Sequence, residues 1–472
     1  MSRFCRLPSL LCLLAAVHGV GQAQVRPTRA LVVISIDGMH PDYIRHADQY
    51  QLKIPVLRAI FRDGAHADTV RGVLPTVTFP SHTTLITGVS PSRHGIFNNT
   101  IFDPTGKNLG DWYWYSEDIR VPTLWRAAAD AGYTVGSVSW PVSVGAPGIA
   151  FNIPEYWRTF TAQEMKLLKA LSTPGLINEL EKDLGPYTND LNDAVPGDWK
   201  RTRFTEALIR KKHANFVTLH LASLDHLEHA HKPFSKEALE TLEAVDEMVG
   251  VLQKAILDSN PDGAIAIVSD HGFETIDHQL NPAVEFLKEG LLTVDTKSQT
   301  SSTHRIVSWK ATVWSAGGSA AILLKDDGDA DARAKVRSVL DRLAADPQNG
   351  IGKILGRREI KELGGDPGAE FVLDMKPGFS VGAAFDGPLL RTIPAAGTHG
   401  YAPTHDEMRA SFFIAGRTIS QRTDLGEIDM RNVAPTLARF LGVNLPWADL
   451  PSLSVESDRA AQNGLAKAGA PR

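Results

Sequence analysis

The sequence predicts an α/β fold with a largely parallel central sheet and helices on both of its faces. Four short, continuous apolar runs have the composition of strands buried on both faces. Helical patterns lie between these runs, and helices that alternate with strands supply the crossovers that a parallel sheet needs. Three of the four runs end in segments that contain aspartate, which predicts a functional site at the carboxyl edge of the sheet.

The predicted strands are rich in β-branched residues. The first is followed at once by Asp37, the second leads to Asp225, and the third leads to Asp270. Residues 411–416 form the fourth predicted strand. The four runs cover residues 30–36, 216–221, 264–268 and 411–416.

Two segments carry clear helix signals. Apolar residues recur at three- and four-residue steps over residues 236–258, which predicts a helix with one apolar face. In residues 433–442, Pro435 lies in the first turn and Gly442 follows the last turn, as is typical of a helix with defined ends.

The composition predicts one large core with additions. The chain has 472 residues, of which 43% are hydrophobic, enough for a large α/β domain over residues 24–452. Residues 275 to about 395 are richer in polar residues and turns, and we interpret them as an insertion or cap. Residues 453–472 are rich in alanine, glycine and polar residues without periodicity, which predicts a disordered tail.

The first residues have the three-part pattern of a secretory signal peptide. Arg3 and Arg6 precede an apolar stretch over residues 7–17, and Gly21 and Ala23 supply the small residues of a cleavage site. We therefore expect residues 1–23 to be a signal peptide and the protein to be exported, either periplasmic or secreted. The alternative is a buried first helix. No later stretch reaches the roughly 20 apolar residues of a membrane span, so we expect no transmembrane segment.

Charge and cysteine content exclude some functions. The net charge is −5 and the basic residues form no long run, so we expect no nucleic-acid partner. Cys5 and Cys12 are the only cysteines, and both fall inside the predicted signal peptide. The exported chain would therefore have neither a thiol nucleophile nor a cysteine metal ligand.

Histidine and aspartate cluster in a way that suits metal ions. Asp225 and His229 are four residues apart and can meet on one helical face or across a loop. Each segment alone has an ordinary explanation, such as a turn. Together, segments expected at one end of the sheet supply three aspartates and three histidines, which suit two zinc ions: Asp37, Asp225, His229, Asp270, His271 and His399. Two metals about 4 Å apart can clamp both oxygens of a phosphoryl displacement.

Thr78 is the candidate nucleophile. It lies in Pro75-Thr76-Val77-Thr78-Phe79-Pro80-Ser81-His82, just before a predicted helical stretch over residues 83–88. A helix N-terminus favours a phosphate and a reactive hydroxyl through its free amides and dipole. Simple N-capping is the alternative explanation for a threonine here.

The order of these segments resembles the nucleotide pyrophosphatase/phosphodiesterase family of the alkaline phosphatase superfamily over roughly residues 30–450. Besides the segments above, the resemblance includes His94-Gly95-Ile96-Phe97-Asn98-Asn99 and Ala434-Pro435-Thr436-Leu437. It implies an alkaline phosphatase-like fold and two zinc ions per chain. It also implies hydrolysis of a small phosphoester, namely a phosphodiester or pyrophosphate bond in a nucleotide-type substrate, through a phospho-threonine intermediate.

The resemblance also implies roles for individual residues. Thr78 matches the nucleophile, and Asn99 matches the asparagine that, with the amide after the nucleophile, holds a phosphoryl oxygen. Phe79 matches an aromatic residue beside the nucleotide base, and Tyr156 is a second candidate for that contact. The ligands of the metal that activates the threonine match Asp37, Asp270, His271 and Thr78, and those of the second metal match Asp225, His229 and His399. The chain departs from the family at Ser81 and Glu228.

Other functions stay open. An alkaline phosphomonoesterase or a phosphonate hydrolase of the same superfamily would use the same metals and threonine. A sulfatase is disfavoured because the exported chain carries no Cys/Ser-x-Pro-x-Arg motif with the required nucleophile. An exported protein that binds metals without catalysis is a rival from another class, although such a protein has no need of Thr78 and Asn99 beside the metals.

Overall fold

The computed structural model describes residues 27–107, 111–156, 161–187, 195–295 and 306–456. The predicted signal peptide and most of the predicted tail lie outside these ranges. The strands are β1 (Leu31–Ile36), β2 (Ala65–His66), β3 (Thr69–Arg71), β4 (Val135–Val138), β5 (Ile149–Ile153), β6 (Phe216–Leu221), β7 (Ala264–Val268), β8 (Glu274–Leu280), β9 (Leu292–Val294), β10 (Ile306–Trp309), β11 (Ala311–Ser315), β12 (Ser319–Leu324), β13 (Ile351–Gly356), β14 (Ala369–Met375), β15 (Gly378–Val381), β16 (Leu390–Thr398), β17 (Phe412–Gly416), β18 (Thr423–Asp424) and β19 (Glu427–Asp429).

Helices connect most of these strands. They are α1 (Asp42–Arg45), α2 (Pro55–Asp63), α3 (Thr78–Thr87), α4 (Pro91–His94), α5 (Leu124–Asp130), α6 (Ala162–Leu171), α7 (Leu176–Leu184), α8 (Val195–Arg210), α9 (Ser223–His231), α10 (Lys236–Ser259), α11 (Pro282–Lys288), α12 (Ala330–Ala345), α13 (Arg357–Glu362) and α14 (Val433–Leu441). Short 3-10 helices cover Ser116–Asp118, Pro347–Asn349, Asp406–Met408 and Met430–Asn432.

The central sheet has the order β18-β2-β17-β7-β1-β6-β4-β5. Strands β7, β1, β6, β4 and β5 run parallel to one another, and β17 is antiparallel to β7 and β2. The four predicted strands are β1, β6, β7 and β17, all in this sheet. The predicted fold class, a largely parallel sheet in an α/β protein, is therefore confirmed.

Alternate residues of β1 pack into two separate hydrophobic cores. Val32, Ile34 and Ile36 pack on one face with residues of α2, α8 and α10, whereas Leu31 and Val33 pack on the other face with residues of α5 and α14. This division follows from strand geometry, since successive side chains point to opposite faces. The helices therefore cover both faces of the sheet, as the sequence predicted.

Both helices with clear sequence signals form close to their predicted bounds. The helix predicted over residues 236–258 is α10, and the Ser235 hydroxyl caps it by accepting a hydrogen bond from the Ala238 amide. The helix predicted near the end is α14. Its C-cap, Gly442, has a φ of 71°, which is the left-handed conformation that favours glycine.

The strands between Glu274 and Thr398 lie outside the central sheet. They form a four-stranded sheet β11-β12-β14-β13, a three-stranded sheet β15-β8-β16 and the pair β10-β9. A hydrophobic cluster of their own, which includes Phe286, Ile322 and Leu340, holds these sheets to α11 and α12. We call residues 274–398 the cap region below; the exact bounds of the insertion, about 275–395, stay a prediction.

The chain is still packed where the tail was predicted to begin. Val455 is buried among residues of the second core, and Glu456 forms an ion pair with Arg29 at 2.7 Å. Residues 453–456 thus pack against the domain, and the disordered tail over residues 453–472 stays a prediction. The remainder of the predicted tail lies outside the described residues.

Among the described helices, none combines the length and the apolar character needed to cross a bilayer.

Candidate active site

The site residues gather where three neighbouring strands end. Strand β1 lies between β6 and β7, and all three run parallel. Asp37 follows β1, Asp270 follows β7 by two residues, and α9 begins just after β6. Asp225 and His229 therefore lie on a helix and not in a loop, one of the two arrangements that their spacing allows.

One group of candidate ligands is fully enclosed. His271 Nε2 lies 3.1 Å from Asp270 Oδ2 and 3.4 Å from Asp37 Oδ1. Asp270 and His271 are 0% exposed and Asp37 is 3% exposed. The candidate ligand atoms of these residues lie within 4.8 Å of one another, close enough to hold one ion. We call these residues the buried half of the site.

A second group lies nearer the surface. Asp225 Oδ1 is 3.5 Å from His229 Nε2 and 3.6 Å from His399 Nε2. The side chains of His229 and Asp225 are 43% and 18% exposed. We call Asp225, His229 and His399 the open half of the site. The rings of His271 and His399 stack at a centroid distance of 3.8 Å, which places the two halves side by side.

Each of the three imidazoles is held by its other nitrogen. The Nδ1 atoms of His229, His271 and His399 lie 3.0 Å from Gly397 O, 3.2 Å from Gly272 O and 3.2 Å from Thr76 O, respectively. A backbone carbonyl accepts a hydrogen bond, so these contacts place the proton on Nδ1. Each Nε2 is then left with a lone pair that faces the carboxylates, as a metal-binding histidine requires.

The chemistry of these donors fits bound cations. Asp37 Oδ1, Asp225 Oδ1 and Asp270 Oδ2 are all buried, and none has a hydrogen-bond partner. Burial, together with the charges of Asp270 and Asp225, raises the pKa of the Asp37 carboxyl well above its usual range. Burial and the neighbouring His271 and His229 hold the pKa of His399 well below its usual range, so this ring is neutral. Carboxylate oxygens without hydrogen-bond partners beside imidazole nitrogens form a donor set suited to divalent metals such as zinc.

Thr78 is the first residue of α3 and lies beside the buried half. Its hydroxyl Oγ1 is 3.4 Å from His271 Nε2. Its carbonyl accepts a hydrogen bond of 2.8 Å from Nδ1 of His82, a ring that is fully buried. Burial lowers the pKa of His82 to about 3, so this ring is neutral and positions the start of the helix without adding charge. The helix N-terminus directs free amides toward the same place, which favours an anion there.

Asn99 lies next to the nucleophile in a different arrangement from the predicted one. The Phe79 amide donates a 2.9 Å hydrogen bond to Asn99 Oδ1. The side chain and the amide predicted to hold a phosphoryl oxygen together are thus bonded to each other. The amide nitrogen of the Asn99 side chain is the donor that this arrangement leaves for a phosphate.

The ring of Phe79 lies in the core, and the prediction that it flanks a base stays a prediction. The ring is fully buried with Ile96, Trp114, Val142 and Val144. It forms the floor of an aromatic cluster because residue 79 points into the core from the first turn of α3. The half-buried rings of this cluster are those of Trp112, Tyr113 and Tyr156. The centroid of Trp112 lies 5.1 Å from that of Phe79, and the centroid of Tyr156 lies 5.2 Å from that of Trp114.

The sequence reasoning missed two polar contacts behind the site. His220 bridges Asp37 and Glu155, with Nε2 2.9 Å from Asp37 Oδ2 and Nδ1 2.5 Å from Glu155 Oε2. Glu228 Oε1 accepts a 2.6 Å hydrogen bond from the Tyr43 hydroxyl, and its Oε2 is buried without a partner. A histidine within the apolar run of β6 was a visible signal, but its partners come from segments far apart in the chain.

The cap region fixes the loop that carries His399. The Gly318 amide donates a 2.7 Å hydrogen bond to the His399 carbonyl. Gly400 has a φ of 88°, and a Cβ atom added to it would lie 1.6 Å from the Ala316 carbonyl oxygen. Only glycine fits between the cap turn and this loop. The turn at residues 316–318 therefore fixes the position of the candidate ligand His399.

A family model matches most of the chain. The model described as "Type I phosphodiesterase / nucleotide pyrophosphatase" matches residues 31–402, a range that contains every candidate ligand and Thr78. The chain belongs to this family. The resemblance inferred from the order of the sequence motifs is thereby confirmed.

Curated members of this phosphodiesterase family match about half of the chain. Human ectonucleotide pyrophosphatase/phosphodiesterase family member 1 is 26% identical over 258 residues, which are 52% of this chain and 24% of that protein. Venom phosphodiesterase 2 of Crotalus adamanteus is 26% identical over 250 residues, 52% of this chain and 27% of the venom protein. These alignments span about a quarter of the length of the curated relatives.

Solved structures of the same phosphodiesterase family share the fold. Human ectonucleotide pyrophosphatase/phosphodiesterase 5 aligns with a TM-score of 0.60 at 18% identity, over 92% of this chain and 99% of that one. An inactive variant of the murine protein in complex with AMP aligns with a TM-score of 0.59 at 20% identity, over 92% of this chain and 99% of that one. The alkaline phosphatase-like architecture predicted from the resemblance is confirmed.

Proposed function

We propose that this protein is an exported, metal-dependent hydrolase of phosphodiester and pyrophosphate bonds in nucleotide-type substrates. The observation that carries the proposal is the position of Thr78. A threonine hydroxyl lies 3.4 Å from His271 Nε2, at the first residue of a helix, beside buried carboxylate oxygens that lack hydrogen-bond partners. A binding protein without catalysis needs no hydroxyl at that point.

Two zinc ions are part of the proposal. Asp37, Asp270, His271 and Thr78 would hold one ion, and Asp225, His229 and His399 would hold the other. When bound, the two ions supply positive charge that stabilises the attacking and leaving oxygens of an in-line displacement.

The protein residues then have distinct tasks. The Thr78 hydroxyl loses its proton to solvent, and its oxygen forms a bond to phosphorus while the bond to the leaving oxygen breaks, which gives a phospho-threonine. A water molecule next attacks that phosphorus and gives up a proton. The bond to Thr78 Oγ1 breaks, and this oxygen takes up a proton again. The N-terminus of α3 and the side-chain amide of Asn99 favour the negative charge on the non-bridging oxygens.

The nucleotide part of the proposal rests on aromatic surface and on a relative. The murine relative was solved in complex with AMP. In the present chain, the half-buried rings of Trp112 and Tyr156 belong to the cluster that packs against Phe79, the residue after the nucleophile. Aromatic faces beside a phosphoryl site suit a nucleobase, because every base offers a flat face for stacking.

The family match favours a diester over a monoester, since the matching model is described as a type I phosphodiesterase / nucleotide pyrophosphatase. The phosphomonoesterase and phosphonate hydrolase alternatives are the less favoured outcomes of the test below.

The test compares initial rates on p-nitrophenyl thymidine monophosphate, a diester, with those on p-nitrophenyl phosphate. Zinc-loaded wild type, Thr78→Ala and Thr78→Ser would be measured side by side. We expect diester turnover to dominate, to fall by a factor on the order of 10³ or more in Thr78→Ala, and to persist in part in Thr78→Ser. Dominant monoester turnover would refute the diester assignment. Turnover that is unaffected in Thr78→Ala would refute the nucleophile.

Export is tested separately. The proposal that residues 1–23 are a signal peptide predicts that the protein, expressed with its own N-terminus in a Gram-negative host, is recovered from the periplasm or medium with Gln24 as its first residue. N-terminal sequencing of the exported fraction measures this directly. A protein retained in the cytoplasm with residues 1–23 attached would contradict it.

A further inference from the structure

His220 occupies an unusual place for a histidine. It lies within β6, an otherwise apolar strand, and its ring is 1% exposed. In the strand register it stands beside Ser35 of β1, two residues before Asp37. A buried polar ring costs free energy unless its nitrogens are bonded, so the partners of this ring decide what it does.

Both ring nitrogens are engaged by carboxylates. Nε2 donates to Asp37 Oδ2 at 2.9 Å, and Nδ1 is 2.5 Å from Glu155 Oε2 and 3.2 Å from the Ser139 carbonyl. Glu155 is also buried. The ring is thus clamped from both sides and cannot rotate without losing a contact at each end.

The bond to Asp37 determines which of its oxygens faces the site. Oδ2 is occupied by His220, whereas Oδ1 has no hydrogen-bond partner and lies 3.4 Å from His271 Nε2. The carboxylate therefore presents a single oxygen toward His271, the ring that also lies 3.4 Å from the Thr78 hydroxyl.

We propose that His220, held in place by Glu155, is a positioning residue that fixes Asp37 as a one-oxygen ligand of the metal beside Thr78. The inference deepens the proposed two-metal function and rests on it. Hydrogen-bonding partners of metal ligands typically account for about 10–100-fold in metal affinity or activity. His220 therefore governs one metal position of the site and leaves the other, at Asp225, unaffected.

Three substitutions separate donation from packing. Gln can place its amide nitrogen near the position of Nε2 and keep the donor to Asp37. Asn reaches only about as far as Nδ1, and Phe keeps the volume of the ring without a donor. Thr218→Val is the matched control: Thr218 lies two residues earlier in β6, is fully buried, and bonds to Ser137 and Trp125 away from the metal ligands.

Zn²⁺ binding to the apo proteins is the primary measurement, made by calorimetric titration without substrate. Each variant would be prepared alone and in an Asp225→Asn background. In that background the zinc position at Asp225 is weakened, so the titration reports zinc binding at the position beside Thr78. We expect His220→Phe and His220→Asn to weaken that position by about 10–100-fold, and His220→Gln and Thr218→Val to stay close to wild type. In the rate assay at limiting zinc concentration, kcat of His220→Phe and His220→Asn should fall while KM for the diester changes little.

The outcomes are distinct. The positioning role would be overturned if His220→Asn bound zinc as tightly as wild type. It would also be overturned if His220→Gln bound zinc as weakly as His220→Phe. Because Thr218→Val also removes buried hydrogen bonds, a loss of affinity in that control equal to the loss in His220→Phe would show a general structural effect and would also overturn it. Wild-type protein that binds zinc as expected but hydrolyses neither ester would refute the proposed activity while the affinity pattern still decides the role of His220.

Discussion

The two halves of the site differ in how they are built. The buried half comes from the ends of β1 and β7 and is enclosed, with Asp270 and His271 0% exposed. The open half comes from α9 and from the loop after β16, and the His229 side chain is 43% exposed. The half that adjoins Thr78 is thus fixed by the core of the protein, and the other half borders solvent and the cap region.

This difference matches the two tasks of a displacement. A nucleophile gains from donors held in place before the substrate arrives, because no reorganisation is then needed during the reaction. The leaving group and the water that follows it must enter and depart, which an enclosed pocket would hinder. We infer that the buried half activates Thr78 and that the open half serves the departing oxygen.

The largest expected effect compares one histidine from each half. His271 is a candidate ligand of the buried half, and one of its ring nitrogens also lies within 4.8 Å of the candidate ligand atoms of Asp225 and His399. His229 belongs to the open half, with Nε2 3.5 Å from Asp225 Oδ1. His271→Gln should therefore release both ions, whereas His229→Gln should release one. The loss of diester turnover in His271→Gln should exceed about 100-fold, the upper range for loss of a hydrogen-bonding partner of a metal ligand. Metal content by mass spectrometry and kcat measure both. Equal metal loss in the two variants would end the distinction between the halves.

A second, smaller effect concerns the order of metal loss. The open half exposes a ligand to solvent, so a dilute chelator should remove one equivalent of zinc quickly and the other slowly. Activity should fall with the first equivalent and return when zinc is added back. Zinc content and rate would be sampled over time in the same preparation. Loss of both equivalents in one phase would contradict a sheltered buried half.

The aromatic residues near Thr78 also differ in burial, and we expect smaller effects from them. Phe79 is fully buried, so Phe79→Ala should lower stability by about 3–5 kcal/mol through the cavity that it leaves. Tyr156 is half-buried, so Tyr156→Ala should cost less stability than Phe79→Ala and should raise KM for a nucleotide diester. Chemical denaturation and steady-state rates separate the two. A raised KM in Tyr156→Ala for p-nitrophenyl phosphate as well would argue against contact with a base.

The smallest expected effect concerns Glu228 in the apo protein. Burial and the nearby Asp225 and Asp270 raise the pKa of Glu228 well above its usual range, against the hydrogen bond from Tyr43. The folded state thus binds a proton that the unfolded state releases above about pH 4.5, so stability falls as the pH rises toward the raised pKa. Glu228→Gln lacks this titration, so its stability relative to wild type should increase as the pH rises from 5 to 8. Melting temperatures of the apo pair at the two pH values measure the gain, and a constant difference would contradict it.

The sequence predicted the sheet and most of the ligand candidates because both depend on local patterns. The apolar runs of β1, β6 and β7 are continuous, and Asp37, Asp225 and Asp270 fall just beyond them. Parallel strands bring such residues to one edge without any knowledge of the strand order. The structure then shows that these three strands are direct neighbours, which local patterns do not reveal.

What the sequence did not predict depends on pairing between distant segments. His220 and Glu155 are 65 residues apart, and Glu228 and Tyr43 are 185 residues apart, so no local spacing links them. The burial of Phe79 depends on Trp114 and Val142, which come from the connections before and after β4. Val455 lies in a segment with the composition of a tail, but its side chain packs in the second hydrophobic core. In each case the partner, and not the residue type, decides the role.

The close contact between Gly400 and the turn at residues 316–318 has a consequence for engineering of the cap region. A change of a single residue in that turn would displace a ligand at once, since the Ala316 carbonyl leaves no room for adjustment. Anyone who grafts a cap from another member onto this scaffold should therefore move the turn and the His399 loop together as one unit.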